Sequence, residues 1–220
     1  MPLQKTSFNK NPFVGLFLKC SDKHALVPRN FSPRHVAVVE EALEVPATPL
    51  FVNQSDLVGI FCSMNSNGVV MPSFSEKQDV AAVKKLGLNV CLVHELQAVG
   101  NNVLCNDKAA LLNPNFPAHT ARAIADCLGV EVSQERLLSK IPTVGSISVV
   151  TNRGLLAYNE TPEIELKKLC KFFGVPGDVG SCNMGTPFNA MGVVANSKGG
   201  LIGDLSSGFE TQRIYESLFG

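Results

Sequence analysis

The sequence predicts an α/β fold of five pseudosymmetric units, each running strand, turn, strand, helix, strand, with the ring of units closed by the N-terminal strand. Three observations lead there. A short string ending in glycine recurs at nearly constant spacing, a turn cluster follows it at a fixed offset, and a helical apolar face follows the turn at another. Such self-similarity over 20–50 residues is the signature of repeat architectures.

The strings are Phe13-Val14-Gly15, Leu57-Val58-Gly59, Ala98-Val99-Gly100 and Thr143-Val144-Gly145. Six residues beyond each glycine a turn-rich cluster opens, at Ser21, Asn65, Asn106 and Thr151. A fifth cluster begins at Asn196 and places a fifth anchor at Ala190, where alanine replaces glycine. Subtraction gives anchor spacings of 44, 41, 45 and 45 residues, with units starting near 13, 57, 98, 143 and 188. The anchors are read as opening the first strand of each unit.

After each turn comes a second apolar run: Ala25–Val27, Val69–Met71, Ala110–Leu112, Leu155–Ala157 and Leu201-Ile202. Two apolar runs around an Asn/Asp/Gly turn read as a β-hairpin. Helices are then predicted from residues at i, i+3 and i+7, which share one face. These are Val36, Val39 and Leu43; Ala121, Ile124 and Leu128; and Leu166, Leu169 and Phe173. The second unit keeps Val80 and Val83 but has Gly87 third, beside Leu86; the fifth keeps Ile214 and Leu218 with Thr211 first. Ser32-Pro33, Ser75-Glu76, Pro117 and Thr161-Pro162 supply caps or a first-turn proline. A further strand follows each of the first four helices, whereas the fifth helix has none after it. The Leu3–Phe8 segment is the strand available to complete the fifth unit, making residues 1–220 a single closed domain. Closure would also remove the exposed sheet edges of an open array.

Composition narrows the function classes. With 19 basic and 19 acidic residues, the chain lacks the cationic excess that non-specific phosphate binding requires. The N-terminus carries no signal-type apolar run and no stretch is long enough to span a bilayer. Seven cysteines, none in a Cys-x-x-Cys pair, indicate free thiols in a reducing cytosol. Cytoplasmic localisation is the expectation.

No phosphate loop and no dinucleotide fingerprint is present. The glycines at 199, 200 and 203 fall in a hairpin, and the Gly177–Gly185 loop has no basic residue beside it. Cys20 and His24 are a lone pair across a turn, while His35, His94 and His119 are scattered, so no metal set is expected. Five-fold strand-helix rings also include amidine-modifying enzymes with a cysteine nucleophile in the last repeat. Here that repeat holds neither cysteine nor histidine, and Cys182 just before it has no evident base. Cys20 and Cys105 both stand five residues past their anchors, which suggests packing. No catalytic residue and no cofactor is expected. The enzyme reading stays as the alternative, beside a generic ring-shaped interaction module.

Several stretches are similar to the translation initiation factor 6 family: Gly100–Leu111, Pro142–Ser146, Thr151–Gly154, Val194–Gly200 and the Asn183-x-Gly185 element. The likeness covers essentially the whole chain, and the end of the sequence straight after the fifth helix resembles the archaeal form. The resemblance implies a five-bladed α/β propeller, the pentein fold. It implies binding to the large (50S) ribosomal subunit on its intersubunit face, chiefly through ribosomal protein uL14 with 23S rRNA nearby. Joining of the small (30S) subunit is thereby blocked until a GTPase and an assisting factor release the protein. A monomer with no membrane partner is expected, acting in translation initiation and large-subunit maturation. The resemblance places Asn101 in a motif matching a contact position. The register sets Ile60, Ser146 and Met191 beside it, and Asn102 and Gly192 complete the candidate contact set.

Overall fold

All five predicted turns close with the same main-chain hydrogen bond, from the first residue's N–H to the carbonyl three positions on. The pairs are Ser21 to His24, Asn65 to Gly68, Asn106 to Ala109, Thr151 to Gly154 and Asn196 to Gly199, at 2.9–3.1 Å. Asparagine suits the first position because its Oδ1 also accepts from the N–H groups two and three residues on, as Asn106 does from Lys108 and Ala109. Around these turns the computed structural model, which describes residues 3–138 and 140–220, builds five separate three-stranded sheets.

Each sheet pairs an inner strand antiparallel to a middle strand, and the middle strand parallel to an outer one. The inner strands are Lys19–Cys20, Ser63–Met64, Val103–Cys105, Val149–Val150 and Val193–Ala195. The middle strands are Ala25–Pro28, Gly68–Pro72, Ala109–Leu112, Leu155–Tyr158 and Gly200–Gly203. In the first four units the parallel third strand is reached through a long helix, the crossover that parallel pairing needs, and a fifth long helix follows the fifth middle strand. These helices are Pro33–Leu43, Lys77–Lys84, Ala118–Leu128, Glu163–Phe173 and Gly208–Phe219. In the first four units the outer strands are Ala47–Leu50, Asn89–Val93, Glu131–Ser133 and Gly177–Gly180.

The fifth outer strand comes from the other end of the chain. Leu3–Thr6 pairs parallel with Gly200–Gly203, in register Leu3 to Gly200 through Thr6 to Gly203. Met1 and Pro2, part of the same segment, lie outside the described residues. Phe8 follows this strand and is 1% exposed, packed among Val14, Leu18 and Val39 of the first unit.

Two details differ from the sequence reading. The anchors do not open the first strand: Val14–Leu16, Val58–Phe61, Val99–Asn102, Val144–Ile147 and Asn189–Gly192 each form one helical turn, and the strand starts just beyond. The second long helix ends at Lys84. Gly87 lies outside it at φ 78°, exposed, so it takes no part in the apolar face. A glycine with positive φ ends a helix rather than extending one.

The helix starts are capped in different ways. Ser32 accepts from the His35 N–H, and Pro117 and Pro162 occupy the capping position rather than the first turn. The fifth helix has a full capping box between Ser207 and Glu210. No described helix is long and apolar enough to cross a membrane.

Among the described residues the core divides into five clusters, and each of them bridges two units. Leu104 and Leu111 of the third unit pack with Leu155, Leu169 and Phe173 of the fourth; Val149 and Leu156 of the fourth pack with Ile202, Ile214 and Leu218 of the fifth. Val194 and Leu201 of the fifth join Val27, Val39 and Leu43 of the first. Apolar burial therefore holds each unit to its neighbour, and no unit buries its helix face alone.

Candidate functional site

The five anchors meet on one face, and glycine is needed there because main chain packs on main chain. A Cβ on Gly15 would fall 1.9 Å from the Ala190 carbonyl oxygen. One on Gly59 would fall 1.9 Å from that of Gly15, one on Gly100 1.9 Å from Gly59, and one on Gly145 2.3 Å from Gly100. Each of the four glycine anchors thus rests on the carbonyl of the unit before it, and the helical turns of the fourth and fifth units touch as well, so the sequence of contacts returns to its start. The face is rigid at its centre because backbone cannot give way as a side chain can.

On this face the candidate residues divide into two groups. Ile60, Asn101 and Met191 are partly exposed, as is Leu16, the equivalent residue of the first unit, which the sequence reading did not single out. Ser146 is 3% exposed, and its hydroxyl donates to the Thr143 carbonyl at 2.8 Å. Asn102 is 5% exposed. Its Nδ2 donates to the carbonyls of Leu96 and Ala98, and its Oδ1 accepts from Asn113 Nδ2 at 2.7 Å. Gly192 is packed against the preceding connector, where a Cβ would lie 2.5 Å from Cys182 Sγ. Asn101 and Asn102 are neighbours with opposite environments. The Asn102 amide is fully engaged inside the protein, whereas the Asn101 side chain makes no hydrogen bond among the described residues.

Around this centre run the connectors that lead from one outer strand to the next anchor. Three of them are tight turns with consecutive residues at positive φ: Asn9-Lys10, Asn53-Gln54 and Asn183-Met184. The flanking residues pair across each turn, Phe8 with Asn11, Val52 with Ser55 and Cys182 with Thr186. Asparagine at the first left-handed position is the sequence signal for such a turn. It was legible but went unread.

The residue twenty positions past each anchor, at the start of the long helix, holds the connector in three units. Asp79 accepts from the Phe51 N–H and from Arg29. Thr120 donates to Glu95 at 3.0 Å. Glu210 accepts from the N–H groups of Met184 and Gly185 and from the Ser181 hydroxyl. Burial pushes the Glu210 carboxyl up, but the Ser207 and Gly185 N–H groups and the serine hydroxyls outweigh it and hold the pKa below the usual glutamate value. In the first unit His35 fills this position by ring contact with Phe8 and Phe31.

The thiols are disposed for packing. Cys182 is fully buried, and burial together with the nearby Glu210 charge pushes its pKa up to about 12. Its sulfur faces the carbonyls of Thr186, Phe188 and Asn189 at 3.9 Å each. Burial likewise pushes Cys20 and Cys62 up to about 12. A nucleophilic cysteine needs the opposite shift. Among the described residues no cysteine hydrogen-bonds a histidine, and no three His, Cys, Asp or Glu side chains are grouped to hold a metal.

These features define the class first: a five-unit α/β protein whose anchors pack main chain to main chain into one rigid face. The eIF-6 family model matches residues 3–217. The chain is 33% identical over 225 residues to translation initiation factor 6 of Pyrococcus horikoshii, covering 99% of both chains. It is 35% identical over 222 residues to translation initiation factor 6 of Saccharolobus islandicus, again covering 99% of both. With that of Picrophilus torridus it shares 31% identity over 220 residues, 98% of this chain and 99% of the relative. This chain belongs to the eIF-6 family.

Proposed function

We propose that this protein is a cytoplasmic translation factor that binds the large (50S) ribosomal subunit on its intersubunit face and sterically blocks joining of the 30S subunit. It acts in initiation and in large-subunit maturation, as a monomer and without catalysis. Family membership along the whole chain supports the class. In that reading the 220 residues form one pentein propeller, ribosomal protein uL14 is the principal partner with 23S rRNA beside it, and a GTPase with an assisting factor releases the protein.

The observation that carries the choice of surface is the contrast between Asn101 and Asn102. A blocking factor needs a preorganised patch with polar groups left over for a partner, because ordering the patch on binding would cost affinity. The Asn101 amide has no hydrogen-bond partner among the described residues, and Leu16, Ile60 and Met191, at the equivalent positions of other units, are partly exposed. The contact set is therefore Asn101, Ile60, Met191 and Leu16. Ser146, Asn102 and Gly192 shape the face from beneath.

Sucrose-gradient sedimentation with purified 50S and 30S particles tests the reading. The protein should travel with 50S and abolish the 70S peak. Asn101→Arg should weaken co-sedimentation at least tenfold while leaving the unfolding midpoint unchanged. A wild-type protein that fails to bind 50S would overturn the function, and an Asn101→Arg variant that binds normally would overturn the surface.

A further inference from the structure

The inner strands line a partly open cavity of about 50 Å³ to which all five units contribute. That is several times the roughly 10–15 Å³ that one water needs. Its walls are about equally polar and apolar, with Leu18, Val103, Val149 and Val193 among the apolar side chains. One ionisable cation lines it, Lys19 on the first inner strand, together with the thiols of Cys20 and Cys105. Lys19 is surrounded by protein yet partly accessible, the combination expected of a side chain that faces an internal space.

The Lys19 amine has no internal partner. It joins no ion pair and donates no hydrogen bond among the described residues. The carboxylates of Asp22 and Asp107, in the turn clusters that line the adjoining pocket, are engaged elsewhere. Asn152 Nδ2 donates to both of them at 2.7 Å. Asp22 also accepts from the Ser197 N–H and hydroxyl, and Asp107 from the Ser66 N–H. No other charged side chain lines the cavity, and its serine and Cys105 side chains are engaged with main chain. The Cys105 thiol donates to the Met64 carbonyl and the Ser63 hydroxyl to the Val103 carbonyl, while Cys20 is held as a neutral thiol. An enclosed ammonium without counter-charge is costly, and proteins either pair it or discharge it.

We propose that the axial cavity is a binding site for a small monovalent inorganic anion of halide size, held by the Lys19 ammonium with the Cys20 thiol as a weak second donor. The anion supplies the counter-charge that the protein omits. Burial lowers the pKa of the amine, and a bound anion opposes that shift by favouring the charged form. The anion then links the first unit to the other four through the cavity they share.

The test compares thermal unfolding of the wild type and Lys19→Met in sodium bromide against sodium gluconate at matched ionic strength. For one site, each tenfold rise in bromide above the dissociation constant should raise the folded-to-unfolded ratio about tenfold in the wild type. Lys19→Met, which fills the same space without charge, should show no such dependence. Anomalous scattering from bromide-soaked wild-type crystals should place a peak beside Lys19 Nζ. Equal bromide dependence in both proteins, or a cavity with no anomalous peak, would overturn the proposal. Should Lys19→Met fail to fold, the anomalous map of the wild type decides alone.

Discussion

Replacing Asn106 by alanine should remove the strongest polar link between the third and fourth units. Asn106 is 4% exposed. Its Nδ2 donates to the carbonyls of Thr151 and Phe173 in the next unit, at 3.1 Å each, and its Oδ1 accepts from the N–H groups of Lys108 and Ala109 within its own turn. Phe173 ends the fourth long helix, where carbonyls lack intrahelical partners. Asn65 and Asn196 repeat the arrangement, reaching Leu128 and Leu43 at the ends of the third and first helices. A net hydrogen bond contributes about 1 kcal/mol, and a buried group left unpaired costs about 1–3 kcal/mol. Four lost bonds, partly healed by water at the turn, then amount to about 3–5 kcal/mol. At ~2–4 °C per kcal/mol for a chain of this length, the midpoint should fall by about 10 °C. Thr151 is the natural control. It occupies the same register, but its hydroxyl bonds only within its own turn, to Arg153, Gly154 and the Gly154 carbonyl. Thr151→Ala should cost about 1–2 kcal/mol. Urea denaturation of the two variants side by side measures the difference. Equal losses, or an Asn106→Ala loss under about 1 kcal/mol, would refute the claim that the side chain joins units rather than shaping its own turn.

Other perturbations follow from the same geometry. Phe8→Ala should cost about 3–5 kcal/mol, the range for a buried aromatic, and deletion of residues 1–9 should cost more because the Leu3–Thr6 pairing goes with it; an unchanged midpoint in calorimetry would sink both. Gly59→Ala puts a methyl 1.9 Å from the Gly15 oxygen and 2.6 Å from the Leu18 oxygen, so about 3 kcal/mol or more should be lost. Gly208→Ala, where nothing lies within 4 Å, should be neutral or slightly stabilising by the same assay. Glu210→Gln should change the acid limb of stability. Because the folded pKa is depressed, the contribution of Glu210 is present above the unfolded glutamate value of about 4.3 and is lost as pH falls through the folded value. Urea midpoints should therefore differ between wild type and variant at neutral pH and converge as pH falls through the folded value, and a gap of constant size would contradict the assignment.

Much of the fold was legible because the features that build it are local and repeated. The turn clusters carry their own hydrogen bonds, and the helix faces carry their own periodicity. Even the origin of the fifth outer strand could be inferred, since no strand follows the fifth helix and Leu3–Phe8 stands before the first anchor. The helical turn at each anchor was not legible. The valine before each glycine reads as strand by propensity, but the glycine is there to let a neighbouring carbonyl approach, and that contact lies in another unit, 41 or more residues away along the chain. The candidate face shows the same limit at single-residue scale. Asn101 and Asn102 are identical in type and adjacent in sequence, so no pattern separates them. What separates them is Asn113, eleven residues on, together with the connector carbonyl of Leu96; both hold Asn102. A helical turn of four residues points successive side chains about 100° apart, so when Asn102 turns inward to the connector, Asn101 is left facing out along the axis side. The register says where the face is. The packing of the preceding connector decides which residue of each turn remains on it.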